Sequence, residues 1–398
     1  MTTLRFPPVV ELRRGAAAAL AAIVSIVFVA FQSGALAQTP APAAKPAPLI
    51  SADARATATA QLMAGVTPAA GDAVIDKLAA TDGWKKHKEA MEAQWKPVRA
   101  RLDTIEKWRD QEIKLKDVAG RTLLYPFSGP DFLNAWALYP NHGKYMFFSL
   151  ENPGVLPDLD KMGPKEFEAM LHDVRSAFTE IFQRNYFITS YMGKQLTTAH
   201  LKGTVPIIAT MMALNGLRIA KIESVDAFPE LTRAYEEPKS KRPGKMLRGM
   251  KMTFLTAANK AHELSYFSLD ATDKALQFYP DFLDWVGRNK PASALVKSAS
   301  YLLHDNQFSK TRDMILASAD ILVQDDTGVP YRYIKQANWN AKFFGKYHRP
   351  IKPMEWGYQG DLDKAFREAE VKDRGPLPFP FGYHWKGQES GLILATRP

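Results

Sequence analysis

The chain has 398 residues and no cysteine. Disulfides, thiolate metal sites, a cysteine nucleophile and a lipid-modified cysteine anchor are therefore all excluded. Other signatures are missing too. No G-x-G-x-x-G follows a strand, no G-x-S-x-G frames a serine, no pair of histidines has H-x-x-x-H spacing, and no internal repeat is evident. An anion cradle, a nucleophile elbow or a helical metal site must rest on weaker patterns or be absent.

The amino terminus is informative. Arg5, Arg13 and Arg14 precede an apolar stretch from Ala16 to Phe31, and Ala35-Leu36-Ala37 closes it. A basic start, an apolar middle and an Ala-x-Ala end describe a secretory signal peptide over 1–37, with cleavage between Ala37 and Gln38. A spanning helix needs about 20 apolar residues, so the expectation is a soluble periplasmic or secreted protein without a stable membrane anchor. Gly15 and a run of alanines follow the Arg13-Arg14 pair, and the pair is read as a Sec-type basic region rather than a twin-arginine signal. The formal charge is +10. Without the leader's net +2 it is about +8, which favours anionic surfaces such as envelope polymers or lipid head groups. Nucleic acid, the other usual partner of a basic protein, is scarce outside the cytoplasm and is not expected here. A merely solvated basic surface is the plainer reading.

Four segments are expected. The leader is followed by an Ala/Pro-rich linker over 38–71 that begins QTPAPAAKPAP. A helical lead-in covers 72–119, with Met91, Trp95, Val98, Leu102, Ile105 and Trp108 in one apolar stripe, interrupted at Pro97. An α/β domain covers 120–398. There, Thr122 to Phe127 and Lys144 to Leu150 read as strands joined by a short helix, which predicts a right-handed parallel βαβ unit. KYMFFSL is apolar on both faces, as the buried interior of a parallel sheet requires. Helices are expected at Pro164–Phe182, at Val205–Leu214 and throughout Asp281–Asp320. The alternating runs around Met250–Phe254 and Leu264–Tyr266 predict an antiparallel hairpin, and ADILVQ and GLILAT are further strands. The fold class is three-layer α/β, with a mixed, mainly parallel sheet and an antiparallel hairpin.

Candidate site residues follow from that architecture. Ligands of open α/β sheets sit beyond the carboxyl ends of the strands. Ser128-Gly129-Pro130-Asp131 would lie there, at a helix start, and Glu151 would end the next strand, 22 residues after Gly129. Dinucleotide-binding folds place a ribose-binding acid at about that separation. The structural alternative needs no ligand: Ser128 or Gly129 caps the helix, Pro130 takes the first turn and Asp131 faces the helix dipole. Ser128 as a nucleophile would require a base, for which His304 and His384 are the available candidates. Asp325 and Asp326, in DDTG, could join Glu151 and His304 in an oxygen-rich metal site, although no ligand spacing supports it and a polar turn explains both aspartates. Trp339, Trp356, Tyr358, Phe381, Tyr383 and Trp385 could stack on sugars or simply be buried. No cofactor is indicated.

The segments YPFSGPDF with FFSLENPG, and SYLLHDNQFSKTRDMIL with VQDDTGVPY, resemble those of a family of exported bacterial proteins. The resemblance extends over most of the chain after Asp82. It implies that the two stretches belong to one recurring domain and brings no activity, cofactor or catalytic residue. Three functions remain open. The chain binds or hydrolyses an anionic or carbohydrate envelope component, or it is a non-catalytic envelope scaffold, or it is a Rossmann-type cofactor enzyme.

Overall fold

The computed structural model describes residues 50–113, 120–184, 196, 198–224, 231, 247–352, 354–369, 373–384 and 390–398. The leader, the Ala-Pro start of the linker and the KSKRPGK stretch lie outside them. Residues 49–398 make one compact unit, so the helical lead-in is part of the α/β body and position 120 is not a boundary.

Among the described residues, ten strands form one mixed sheet. They are β1 (Thr122–Pro126), β2 (Lys144–Ser149), β3 (Arg218–Ser224), β4 (Arg248–Leu255), β5 (Ala261–Ser268), β6 (Pro291–Val296), β7 (Ile321–Gln324), β8 (Asn340–Gly345), β9 (Arg374–Gly375) and β10 (Gly391–Thr396), in the order β3-β4-β5-β2-β1-β6-β7-β10-β8-β9. The expected parallel pairing of the first two strands is present, with Thr122 opposite Lys144. So is the β4–β5 hairpin, which pairs antiparallel from Arg248–Ser268 to Leu255–Ala261. The five central strands β5, β2, β1, β6 and β7 are mutually parallel. In order of appearance they read 3-2-1-4-5. The chain winds outward from β1 to one side, then returns to β1's other side, which makes the β1/β6 boundary the topological switch point.

Successive side chains alternate between two hydrophobic cores. Leu123, Tyr125, Leu295, Val323 and Leu392 face one core, and Leu124, Ala294, Val296, Leu322 and Ile393 face the other. The first core is covered by α1 (Ala54–Ala64), α2 (Ala73–Ala79), α3 (Asp82–Glu112), α4 (Phe132–Leu138), α5 (Pro164–Arg184) and α6 (Val205–Leu214). The second is covered by α7 (Asp273–Leu276), α8 (Pro280–Arg288), α9 (Ser309–Ser318), α10 (Tyr331–Gln336) and α11 (Gly360–Glu368). This is the three-layer α/β arrangement.

Three elements depart from the sequence reading. Residues 54–64, expected as linker, form α1. Asp53 caps it by accepting from the Ala56 N–H at 2.9 Å, and Thr57 exchanges two hydrogen bonds with the backbone of Ile219 on the edge strand β3, both 3.0 Å. The Ala/Thr-rich sequence shows no apolar stripe because small residues let the helix lie close against α6 and β3, where it covers an otherwise open sheet edge. Second, Pro97 does not interrupt α3, which runs unbroken through it. The proline removes one backbone donor, but the buried row of Trp84, Met91, Val98, Leu102, Ile105 and Trp108 anchors the helix on both sides of it. Third, β6 occupies Pro291–Val296, inside a segment expected to be wholly helical. Its Ala-Ser-Ala core lacks the bulky residues that signal a strand, yet it lies buried beside β1.

Candidate functional site

Every central parallel strand ends on the same side of the sheet. There, β1 delivers Phe127–Asp131, β2 delivers Leu150 and Glu151, β5 delivers Leu269–Thr272, β6 delivers Lys297–Tyr301 and β7 delivers Asp325–Thr327. A cavity of about 570 Å³ opens among these ends, within the range of small-molecule sites. Phe127, Leu150, Leu269, Phe308, Ile351 and Met354 make its apolar walls, and its polar groups come from Ser149, Glu151, Asp270, Ser298, Ser300 and Tyr383.

The backbone around this cavity is strained. Phe127, Ser298, Ser300 and Tyr301 all have positive φ, between 52° and 56°. Non-glycine residues rarely adopt that conformation, and three of the four fall within the four-residue stretch 298–301. The conformation is imposed by the segment after β7 and the chain near Tyr383. The Asp325 carboxylate accepts from the Ser298 N–H at 2.9 Å, and the Thr327 hydroxyl accepts from the Ala299 N–H at 2.7 Å. Tyr383 donates to the Ser298 carbonyl at 2.9 Å and lies 2.7 Å from the Ser300 hydroxyl. Tyr301 donates to Asp326 at 2.5 Å. The DDTG segment thus works as a clamp on the loop after β6. Gly382 belongs to the same clamp. Its φ is +68°, and a Cβ there would stand 2.0 Å from an Asp325 carboxylate oxygen.

A second acidic cluster lies behind the turn after β1. Asp131 and Lys297 form a buried ion pair at 2.8 Å, their side chains 3% and 1% exposed. Tyr125 donates to the same carboxylate at 2.8 Å, and the Asn134 side chain donates to both of its oxygens at 2.9 and 3.0 Å. Burial by itself would raise the Asp131 carboxyl, but Lys297, Asn134 and Tyr125 outweigh it and hold the group below its ordinary range. Burial and the adjacent Asp131 charge push the Tyr125 phenol up, so it stays a donor.

The sequence candidates divide sharply. Gly129 and Glu151 line the cavity, whereas Ser128, Asp131, Asp325, Asp326 and His304 do not. Asp131 caps α4, accepting from the Asn134 N–H at 3.3 Å, so the cap is neither Ser128 nor Gly129 and Pro130 precedes the helix. Ser128 is 2% exposed and its hydroxyl has no hydrogen-bond partner among the described residues, so no base activates it there. The His304 ring packs edge-on against Tyr301 at 5.1 Å, and burial, with Arg332 nearby, lowers it to about 4. No group of three or more acids and histidines among the described residues is placed to hold a metal ion. Of the aromatics, Trp339, Phe381 and Tyr383 are buried, Trp356 and Tyr358 are exposed, and Trp385 lies outside the described residues.

Sequence reasoning missed Phe127, Ser149, Asp270, Ser298, Ser300, Ile351 and Met354. The available signal was KSAS directly after a strand that small residues concealed, and Ser-Leu-Glu after the second strand, where the serine positions the acid. Ser149 donates to Glu151 Oε2 at 2.5 Å and pairs with the Tyr266 hydroxyl at 2.7 Å, while Tyr266 reaches the Glu151 carbonyl at 2.9 Å. The chain matches no protein-family model, no curated protein and no solved structure.

Proposed function

We propose that this is an exported protein that binds a small, uncharged, polyhydroxylated ligand of glycosyl character in the switch-point cavity. The observation that carries the reading is the chemistry of the lining. Two carboxylates and several hydroxyls stand among apolar walls, and no lysine or arginine among the described residues lines the space. Carboxylates accept hydrogen bonds from ligand hydroxyls and repel anions, and apolar walls suit the faces of sugar rings. Arg248, on the edgeward strand β4, donates to Asn152, next in sequence to Glu151, at 3.2 Å. An anionic envelope polymer, attractive from net charge alone, finds no complement inside the cavity. A pure scaffold has no use for a strained loop held against an open space, because backbone strain of this kind persists where surrounding contacts enforce it and clusters at functional sites.

Thermal denaturation of the leaderless protein with neutral sugars (oligosaccharides and nucleosides), sugar phosphates and polyanions tests the reading. A ligand at a hundredfold excess over its Kd adds about 2.7 kcal/mol. The expected result is a rise in Tm with neutral sugars that Glu151→Ala abolishes. A rise with polyanions alone, or with none of the panel, would sink it.

A further inference from the structure

We infer that the occupant is a ribonucleoside without phosphate, its vicinal diol held by Glu151. The inference rests on the polyhydroxylated-ligand reading and narrows it. Four observations carry it.

The first is topological. The five central strands have the 3-2-1-4-5 order of doubly wound nucleotide-binding sheets, and the cavity sits at their switch point. The second is the acid. In that arrangement a carboxylate at the end of the second strand bonds the ribose hydroxyls, and Glu151 stands there, lining the cavity. Ser149 and Tyr266 fix it, and among the described residues its Oε1 takes no hydrogen bond. The third is the shape of the remaining space. The planar, apolar part of a nucleoside fits walls made by Leu150, Leu269, Phe308, Ile351 and Met354, with Asp270 offering a carboxylate to an exocyclic amine.

The fourth excludes phosphate. In dinucleotide-binding sheets the pyrophosphate sits at the start of the helix after the first strand. Here that place is filled from within. The N–H of Asp131 goes to the Ser128 carbonyl at 3.2 Å, that of Phe132 to the Pro130 carbonyl at 2.7 Å, and that of Asn134 to the Asp131 carboxylate at 3.3 Å. Asp131 is a built-in anion, and Lys297, the cation that a phosphate would need, is already paired with it and buried. A phosphorylated ligand meets spent donors and a lysine already neutralised by Asp131.

Isothermal calorimetry on the leaderless protein with adenosine, guanosine, cytidine and uridine, their 2′-deoxy and 3′-deoxy forms, their 5′-monophosphates, NAD and neutral hexoses decides the matter. At least one ribonucleoside should bind. Loss of either ribose hydroxyl should weaken it about tenfold or more, because a hydrogen bond to a charged acceptor is forfeited. The 5′-monophosphate and NAD should bind more weakly than the parent nucleoside. Glu151→Gln should reproduce the deoxy loss without changing the far-ultraviolet spectrum, and the deoxy comparison on the unaltered protein holds even if that variant misfolds. Hexose binding without ribonucleoside binding overturns the inference and leaves the glycosyl reading standing. Equal affinity for nucleoside and monophosphate also overturns it. Binding of none of these neutral ligands overturns both.

Discussion

Two aspartate sites lie at the ends of the strands that flank β6, Asp131 after β1 and Asp325-Asp326 after β7, and burial acts on them in opposite company. Asp131 meets a lysine ammonium, a phenol and an amide, and is held charged below its ordinary range. Asp325 and Asp326 meet mainly hydroxyls, amides and each other. Burial raises Asp325 against the pull of Thr327, Ser298 and the more distant Lys297, whose ammonium is paired with Asp131, and burial with the Asp325 charge raises Asp326 to about 7. Desolvation alone therefore does not set the state of a buried acid; the presence or absence of a matched cation does. The first fills the start of α4 with an ion pair whose charges cancel. The second clamps the loop of the cavity with two carboxyls that burial raises.

The sharpest way to break the comparison is to remove the cation. Lys297→Met should destabilise the fold by about 3–5 kcal/mol, the range for stranding a buried charge. Asp131→Asn with Lys297→Met should recover much of that loss, because no unpaired charge then remains. Urea unfolding of the single and double variants measures it. A double variant as unstable as the sum of the singles would show that the pair's role is not electrostatic.

The next effect should come from Asp326→Asn and depend on pH. The folded state keeps the Asp326 proton up to about pH 7, whereas the ordinary value is 3.8. Between those values the folded state binds more protons than the unfolded one, so this group's contribution falls as pH rises through the window. His87, His142 and His304 act in the opposite direction, since burial depresses them to about 4, 3 and 4. Their contribution is lost as pH falls from about 6.5, and it cancels in a difference between variant and wild type. Relative to wild type, Asp326→Asn should gain about 1–3 kcal/mol on going from pH 4 to pH 8. The figure stays below the roughly 4 kcal/mol that a carboxyl raised from 3.8 to about 7 would give by itself, because Asp325 ionises more easily once its neighbour is neutral. A difference that does not change with pH would place the proton elsewhere.

Gly382→Ala should follow, costing about 1–3 kcal/mol from a positive φ and a Cβ driven into Asp325. It should also loosen the loop at 298–301, which hydrogen exchange at Ser298 and Ala299 would register. Unchanged exchange there would mean that Asp325 does not clamp the loop.

How much of this was legible depended on side-chain size and on distance along the chain. β1, β2 and the β4–β5 hairpin announced themselves through bulky or alternating apolar runs. β6 did not, because the strand beside β1 is built from Ala292, Ser293 and Ala294, which carry little strand signal but pack closely. α1 was hidden for the same reason. The position of the cavity was legible from the rule about strand ends, and Glu151 and Gly129 stand at its wall. The identity of the α4 cap was not. Ser128, Gly129 and Asp131 are all acceptable caps by residue type. The choice among them is made by Lys297, 166 residues away, which no local pattern reveals.

The same correction sets the smallest effect, that of Ser128→Ala. Were Ser128 the cap, its removal would cost about 0.5–2 kcal/mol. With Asp131 capping α4, the serine hydroxyl is buried without a partner among the described residues, and an unsatisfied buried hydroxyl is itself unfavourable by about 1–3 kcal/mol. Replacing it with a methyl hydrogen removes that penalty and leaves only a small void, because the hydroxyl is little more than one heavy atom. Stability should therefore stay within about 1 kcal/mol of wild type, on the stabilising side. Asp131→Ala, which removes the true cap and strands Lys297, should lose several times more, at about 3–5 kcal/mol. Denaturant midpoints of the two variants side by side make the distinction. A Ser128→Ala loss comparable to that of Asp131→Ala would return the cap to the serine and reopen the helix start to an anion.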